Sequence, residues 1–148
     1  MNMKKILCTL AVLTGFYFLS LPAAFAQCDA EKYTEKIIST LPDGSTFLKS
    51  YKIDGEMGKK EKIEFPYIFR QNSTYIINIS NKDPELKGVV LNLYDANRNL
   101  IGSSYDATTR KFRPGLGYTC SATGVYYLTF SFEGSKDYCA AAVLVLKK

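Results

Sequence analysis

Asp95, Asn97 and Asn99 alternate through one short polar segment, and Ser103 and Asp106 fall at the ninth and twelfth positions counted from Asp95. That spacing of side-chain oxygens is how an EF-hand loop wraps a calcium ion. The sixth position, however, is Leu100, where the loop needs a glycine for its sharp turn, and the flanking residues alternate as strands do. The segment reads as a hairpin turn in which Asp95 and Asn97 bond backbone groups. A calcium ion held by Asp95, Asn97, Asn99 and Asp106 is the alternative, and no other cofactor is expected.

A second chemistry open to this composition is glycoside hydrolysis, which needs two carboxylates and no histidine. The chain contains no histidine, which excludes Ser-His-Asp and Cys-His catalysis, His-ligated zinc and an imidazole pH switch. Asp83, Glu85, Asp95 and Asp106 all fall in predicted turns, and nothing in their spacing sets two of them across a cleft. Ser-x-x-Lys does not occur after residue 27. The catalytic reading is thus the runner-up to a non-catalytic binding module. A structural accessory of an envelope assembly is a further rival.

Tyrosine is the remaining functional residue type, with 11 in the chain and no tryptophan. On a β-sheet, Tyr105 and Tyr127 have the parity to face outward, where exposed tyrosines stack sugars or grip proteins. Most of the others are expected to fill the core. Lys59, Lys60, Lys62, Arg70, Arg110, Lys111 and Arg113 read as solubilising edge charges.

The elements that would position these residues begin after an export signal. Lys4 and Lys5 precede an apolar run from Ile6 to Leu21, and Ala24-Phe25-Ala26 offers the small residues that a signal peptidase reads. Cleavage after Ala26 is expected, leaving residues 27–148 as one domain secreted or held in the periplasm, with no membrane span. Loss of the two lysines lowers the formal charge from +5 to +3, too little to argue for nucleic acid as a partner.

Cys28, Cys120 and Cys139 remain, an odd count for an oxidising compartment. If Val125–Phe132 and Cys139–Leu146 form a hairpin, Cys120 and Cys139 lie at opposite ends, roughly 20 Å apart at ~3.3 Å per residue. That is beyond disulfide reach. Cys28–Cys139 is the expected bridge, with Cys120 free, and Cys28–Cys120 is the alternative. No Cys-x-x-Cys is present to suggest a redox site.

Ala30, Tyr33, Ile37 and Leu41 recur at helical spacing, and Pro42-Asp43-Gly44 stops the pattern, so a short helix is expected over about residues 29–41. Everything beyond alternates with period two between turn signals: Thr46–Ile53, Lys62–Phe69, Thr74–Ser80, Val89–Tyr94, Leu100–Tyr105, the stretch from Phe112 to Cys120, Val125–Phe132 and Ala140–Leu146. Pro66 marks its strand as an edge. The expected fold is all-β, an antiparallel jelly-roll-like sandwich of about eight strands preceded by one short N-terminal helix.

The run Leu91-Asn92-Leu93-Tyr94-Asp95, continuing through Asn99-Leu100-Ile101-Gly102, and the later Thr123-Gly124-Val125-Tyr126-Tyr127-Leu128 resemble the pre-peptidase C-terminal domain family. The resemblance covers about residues 60–146. It implies a small jelly-roll-like sandwich and an accessory role in secretion or in binding matrix protein or polysaccharide. The cysteine-bearing helix ahead of it is outside that pattern and is similar to small uncharacterised exported proteins of Bacteroidetes.

Overall fold

A computed structural model describes residues 28–147 of the chain. The expected signal segment lies outside the described residues. Helix α1 spans Ala30–Ile38. Ten strands follow: β1 Ser45–Asp54, β2 Lys62–Phe69, β3 Thr74–Asn81, β4 Val89–Tyr94, β5 Leu100–Ser103, β6 Tyr105–Asp106, β7 Lys111–Phe112, β8 Gly115–Thr119, β9 Gly124–Phe132 and β10 Cys139–Lys147. Two antiparallel sheets face each other, in the orders β1-β10-β3-β8 and β2-β9-β4-β5, and β6 and β7 form a separate two-stranded ribbon. Leaving that ribbon aside, the eight long strands have the strand order of a jelly roll, as expected.

The core lies between the sheets and is filled by the alternating apolar set. Ile53, Phe69, Ile77, Leu91, Leu93, Leu128, Phe130 and Leu144 are fully buried, each contributing roughly 1.5–3 kcal/mol on leaving water. β10 is apolar on both faces because both are covered. Its inner residues Ala140, Ala142 and Leu144 join the core, while Val143 and Val145 pack beneath Ile37 of α1 with Leu41 and Ile76.

Helix α1 is shorter than its apolar spacing suggests. Thr40 and Leu41 donate to carbonyls only three residues back, Ile37 and Ile38, so the helix tightens and ends before Pro42. Proline disfavours the helical region for the residue before it. Glu31 near its start and Lys36 near its end suit the helix dipole.

Three strand expectations are corrected. The Val125–Phe132 and Cys139–Leu146 segments do not form a hairpin: β9 pairs with β2 and β4, whereas β10 pairs with β1 and β3 in the other sheet. Leu100–Tyr105 is also not one strand. The Ser104 hydroxyl accepts the Leu91 N–H at 2.8 Å in place of a ladder carbonyl, and the chain then leaves the sheet so that Tyr105 pairs with Phe112. The expected strand from Phe112 to Cys120 is likewise two, β7 and β8, separated at Pro114, which has no N–H. β8 hugs β3 so closely that a Cβ on Gly115 would strike the Ile77 carbonyl.

The disulfide joins Cys28 to Cys139, with Cα atoms 5.1 Å apart, and Cys120 is a buried free thiol. The pairing is the one expected, although the hairpin premise behind it fails. Cys120 exchanges backbone hydrogen bonds beside Ser73, before β3 begins, whereas Cys139 sits opposite Asp54, near the far end of β3.

Candidate binding site

β1 and β2 are the edge strands of the two sheets on the same side of the sandwich. Both are blunted against strand addition. β1 breaks register at Leu48 and carries the exposed Lys49 and Lys52, and β2 carries Pro66. Because Leu48 is the extra residue of a bulge, it packs toward the core although its parity is opposite to that of the core residues Tyr51 and Ile53.

A groove of about 860 Å³ opens at the end of these two edges, between Leu48, Tyr67, Ile68, Tyr75, Val125 and Leu146. Its size falls within the range of ligand sites, ~300–1,000 Å³, and its walls are predominantly apolar, as such sites are. Behind it Phe69 is stacked on Tyr75 at 4.0 Å and on Tyr126 at 4.9 Å between ring centres. Ile68 and Val125 are cross-strand partners and remain 62% and 37% exposed. Arg70 and Ser73 supply the polar rim, and among the described residues Arg70 enters no ion pair. The turn that carries Arg70 is fixed by the Arg70 N–H donating to the Tyr75 phenol at 2.9 Å and by the Asn72 N–H donating to the Cys120 carbonyl at 2.8 Å.

The apolar surface continues onto the outer face of the β2-β9-β4 sheet, where Pro66, Tyr127 and Tyr94 lie in register across three strands. Tyr127 projects outward, as its parity requires, but its ring is covered by the guanidinium of Arg98, 3.6 Å from the ring centre. Arg98 Nη1 also donates to Glu64 Oε2 at 2.6 Å, and the Thr129 hydroxyl donates to the same oxygen at 3.0 Å. Tyr105 is elsewhere, packed on Phe112 in the β6–β7 ribbon at 4.8 Å, so the two tyrosines form no common row.

The Arg98 hydrogen bond, helped by the Thr129 hydroxyl and opposed by burial, holds the Glu64 carboxyl below the usual carboxylate range. A lowered folded-state pKa gives stability that is present above the unfolded value, about 4.3, and fades as pH falls through the folded value. Arg98→Ala should therefore lower stability at pH 7 and flatten its fall as the pH drops below the unfolded carboxyl value. A Glu64–Arg98 double-mutant cycle in urea should give a favourable coupling at pH 7 that fades as the pH falls through the lowered pKa of the folded carboxyl.

Asp95, Asn97 and Asn99 are brought together in the β4–β5 turn. Asp95 Oδ1 accepts the N–H groups of Asn97 and Asn99, both at 2.8 Å, and Oδ2 accepts the Asn99 side-chain amide at 2.9 Å. Asp106 belongs to the next ribbon, where Oδ1 accepts the Thr108 and Thr109 N–H groups and Oδ2 pairs with Arg113 at 3.3 Å. Among the described residues no three cysteine or carboxylate groups are gathered as a metal site requires. Asp83 likewise closes its own turn through the Glu85 N–H, and Glu85 pairs with Lys87.

The carboxyl groups of Asp54, Glu64, Asp95 and Asp106 are all held low by the hydrogen bonds they accept, chiefly from the Glu56 N–H, Arg98, Asn99 and the Thr109 N–H respectively. A general acid for glycoside hydrolysis needs the opposite shift.

No family model matches the chain, and no curated protein matches it. Among solved structures, it is similar to Aeromonas hydrophila PliG, a periplasmic lysozyme inhibitor of g-type lysozyme. The TM-score is 0.45 and the sequence identity 13%, over 70% of this chain and 87% of that one.

Sequence reasoning does not single out Leu48, Ile68 or Val125, and it counts Arg70 among surface charges. The only local signal for the groove is Pro66, which identifies an edge. Glu64 and Arg98, 34 residues apart, meet only because β2 lies beside β9 and the β4–β5 turn folds over both.

Proposed function

We propose that this protein is an exported binding module, without covalent chemistry of its own, that holds an apolar segment of a partner protein in the groove between β1 and β2. The groove carries this reading: six apolar walls, an exposed Ile68 at the mouth and an unpaired Arg70 on the rim. The two blunted edges favour insertion of side chains over addition of a strand. The cation selects for an acidic residue, or a terminal carboxylate, flanking the apolar segment.

Export is supported by the Cys28–Cys139 bridge, since structural disulfides persist in oxidising compartments, and by the leader-like segment that precedes it. Among the described residues no helix is long and apolar enough to cross a membrane. The lowered carboxyl groups of Asp54, Glu64, Asp95 and Asp106 support a non-catalytic role.

Selection from a displayed random-peptide library tests the reading. Wild-type protein should enrich peptides that pair two or more large apolar residues with an acidic one. Ile68→Asp, at a site exposed enough to leave stability within about 0.5 kcal/mol, should weaken those peptides by roughly 10–100-fold. Arg70→Glu should shift enrichment toward basic peptides. Enrichment that ignores both substitutions would remove the groove from the account.

A further inference from the structure

At the other end of β3, Asn81 pairs with Ala140 and shares the core-facing parity of Ile77 and Ile79. Its side chain is 2% exposed, yet neither Oδ1 nor Nδ2 has a hydrogen-bond partner. Buried amides are almost always satisfied, so Asn81 keeps two donor hydrogens and an acceptor free for a ligand. Asp137 repeats the pattern: Oδ1 accepts the Cys139 N–H at 3.2 Å, while Oδ2 is buried without a partner. Both residues line a cavity of about 520 Å³ with Lys82, Ser135 and Lys136. Asp137 and the two lysines also line an adjoining cavity of about 440 Å³, whose other walls include Tyr33 and Tyr138.

We propose that this cleft is a saccharide site that grips a pair of adjacent ring hydroxyls. Asn81 Nδ2 is a donor, and Asn81 Oδ1 and Asp137 Oδ2 are acceptors, so the bound group must both donate and accept. A metal ion would leave the Asn81 amide hydrogens unpaired and would lie beside Lys82 and Lys136, neither of which is in an ion pair among the described residues. An inorganic anion would meet the Asp137 carboxylate. A hydroxyl satisfies both kinds of partner at once. The lysines can donate to outer hydroxyls, and Tyr33 or Tyr138 offers a ring for the apolar face of the sugar.

Access to the covered amide requires the turn after β9 to lift. That turn is held by Ser135 Oγ, which bonds the Asp137 N–H and carbonyl, and by the Glu133 N–H on the Gly88 carbonyl at 2.7 Å. Gly134, at a φ of +68°, supplies a hinge position.

The test is calorimetric titration of the full exported chain with three probes: chitotetraose, cellotetraose and mannotetraose. At least one should bind with a Kd below about 10 mM. Asn81→Leu separates function from structure. It should raise Tm, because the orphaned amide is gone, and should weaken sugar binding by roughly tenfold or more. If that variant does not fold, the exposed Lys136→Ala should weaken binding severalfold at unchanged Tm. Three silent titrations, binding insensitive to the substitutions, or a crystal soaked with the bound sugar that shows only ordered water on Asn81 and Asp137 would each overturn the proposal. None of these results bears on the groove, which is built from other residues at the opposite end of β3.

Discussion

Replacing both Cys28 and Cys139 by serine is expected to remove about 4 kcal/mol of stability and to lower Tm by roughly 15 °C. The bridge spans 111 positions, and closing a loop of about that length removes on the order of 4–5 kcal/mol of chain entropy from the unfolded state. A local effect adds to it. The bond lies two residues ahead of α1, whose Ala30 and Ile37 are buried, and Ile37 packs on the outer face of β10. Without the tether α1 can detach and uncover Val143 and Val145. Thermal unfolding by circular dichroism, with the reduced wild-type protein as a second route to the same state, gives the answer. A fall of less than about 3 °C would show that packing alone seats the helix and that the bridge is dispensable.

Phe69→Ala should cost about 3–5 kcal/mol, the range for deleting a fully buried aromatic ring. Phe69 has no exposed surface and touches four other rings: Tyr75 and Tyr126 in stacked contact, Tyr67 edge-on and Tyr118 tilted. Tyr67 and Tyr75 are also groove walls, so the cavity left behind would loosen the proposed site as well as the core. The two effects can be separated. Phe69→Leu, which keeps most of the volume, should recover all but about 1.5 kcal/mol and restore peptide binding in proportion. If Phe69→Ala binds as tightly as wild type while its Tm falls, the ring stack does not support the groove.

The parts of this structure that local pattern could reveal are those whose physics is local. Asp95 closes its turn with N–H groups two and four residues on, so a hairpin turn was legible from the Asp-x-Asn-x-Asn run itself. Alternation assigns inner and outer faces to Thr74–Ser80, Val89–Tyr94 and Val125–Phe132 because a strand's period is a property of its own backbone. Alternation says nothing about partners. The expected β9–β10 hairpin does not form: β9 and β10, though consecutive, lie in opposite sheets.

The apolar character of β10 was visible, but its cause, a helix lying on the outer face, was not. The disulfide pairing is the expected one, but the hairpin from which it was reasoned does not form. Of the groove, only the edge marked by Pro66 was legible. The rest depends on β1 and β2, strands of different sheets, ending side by side, and on a bulge that turns Leu48 inward. Arg98 depends on the same long-range order: its turn was readable, but Glu64 and Tyr127, the two groups it holds, come from two other strands.

The most direct test of the central claim is an amide NMR titration of the exported domain with a peptide enriched in the library selection. Shift changes are expected at Leu48, Ile68, Arg70, Ser73, Val125 and Leu146, with the peptide recovered intact afterwards. Changes centred instead on the loops around Asn81 and Asp137 or on the β4–β5 turn, or a cleaved peptide, would contradict an account in which this groove binds and does no chemistry.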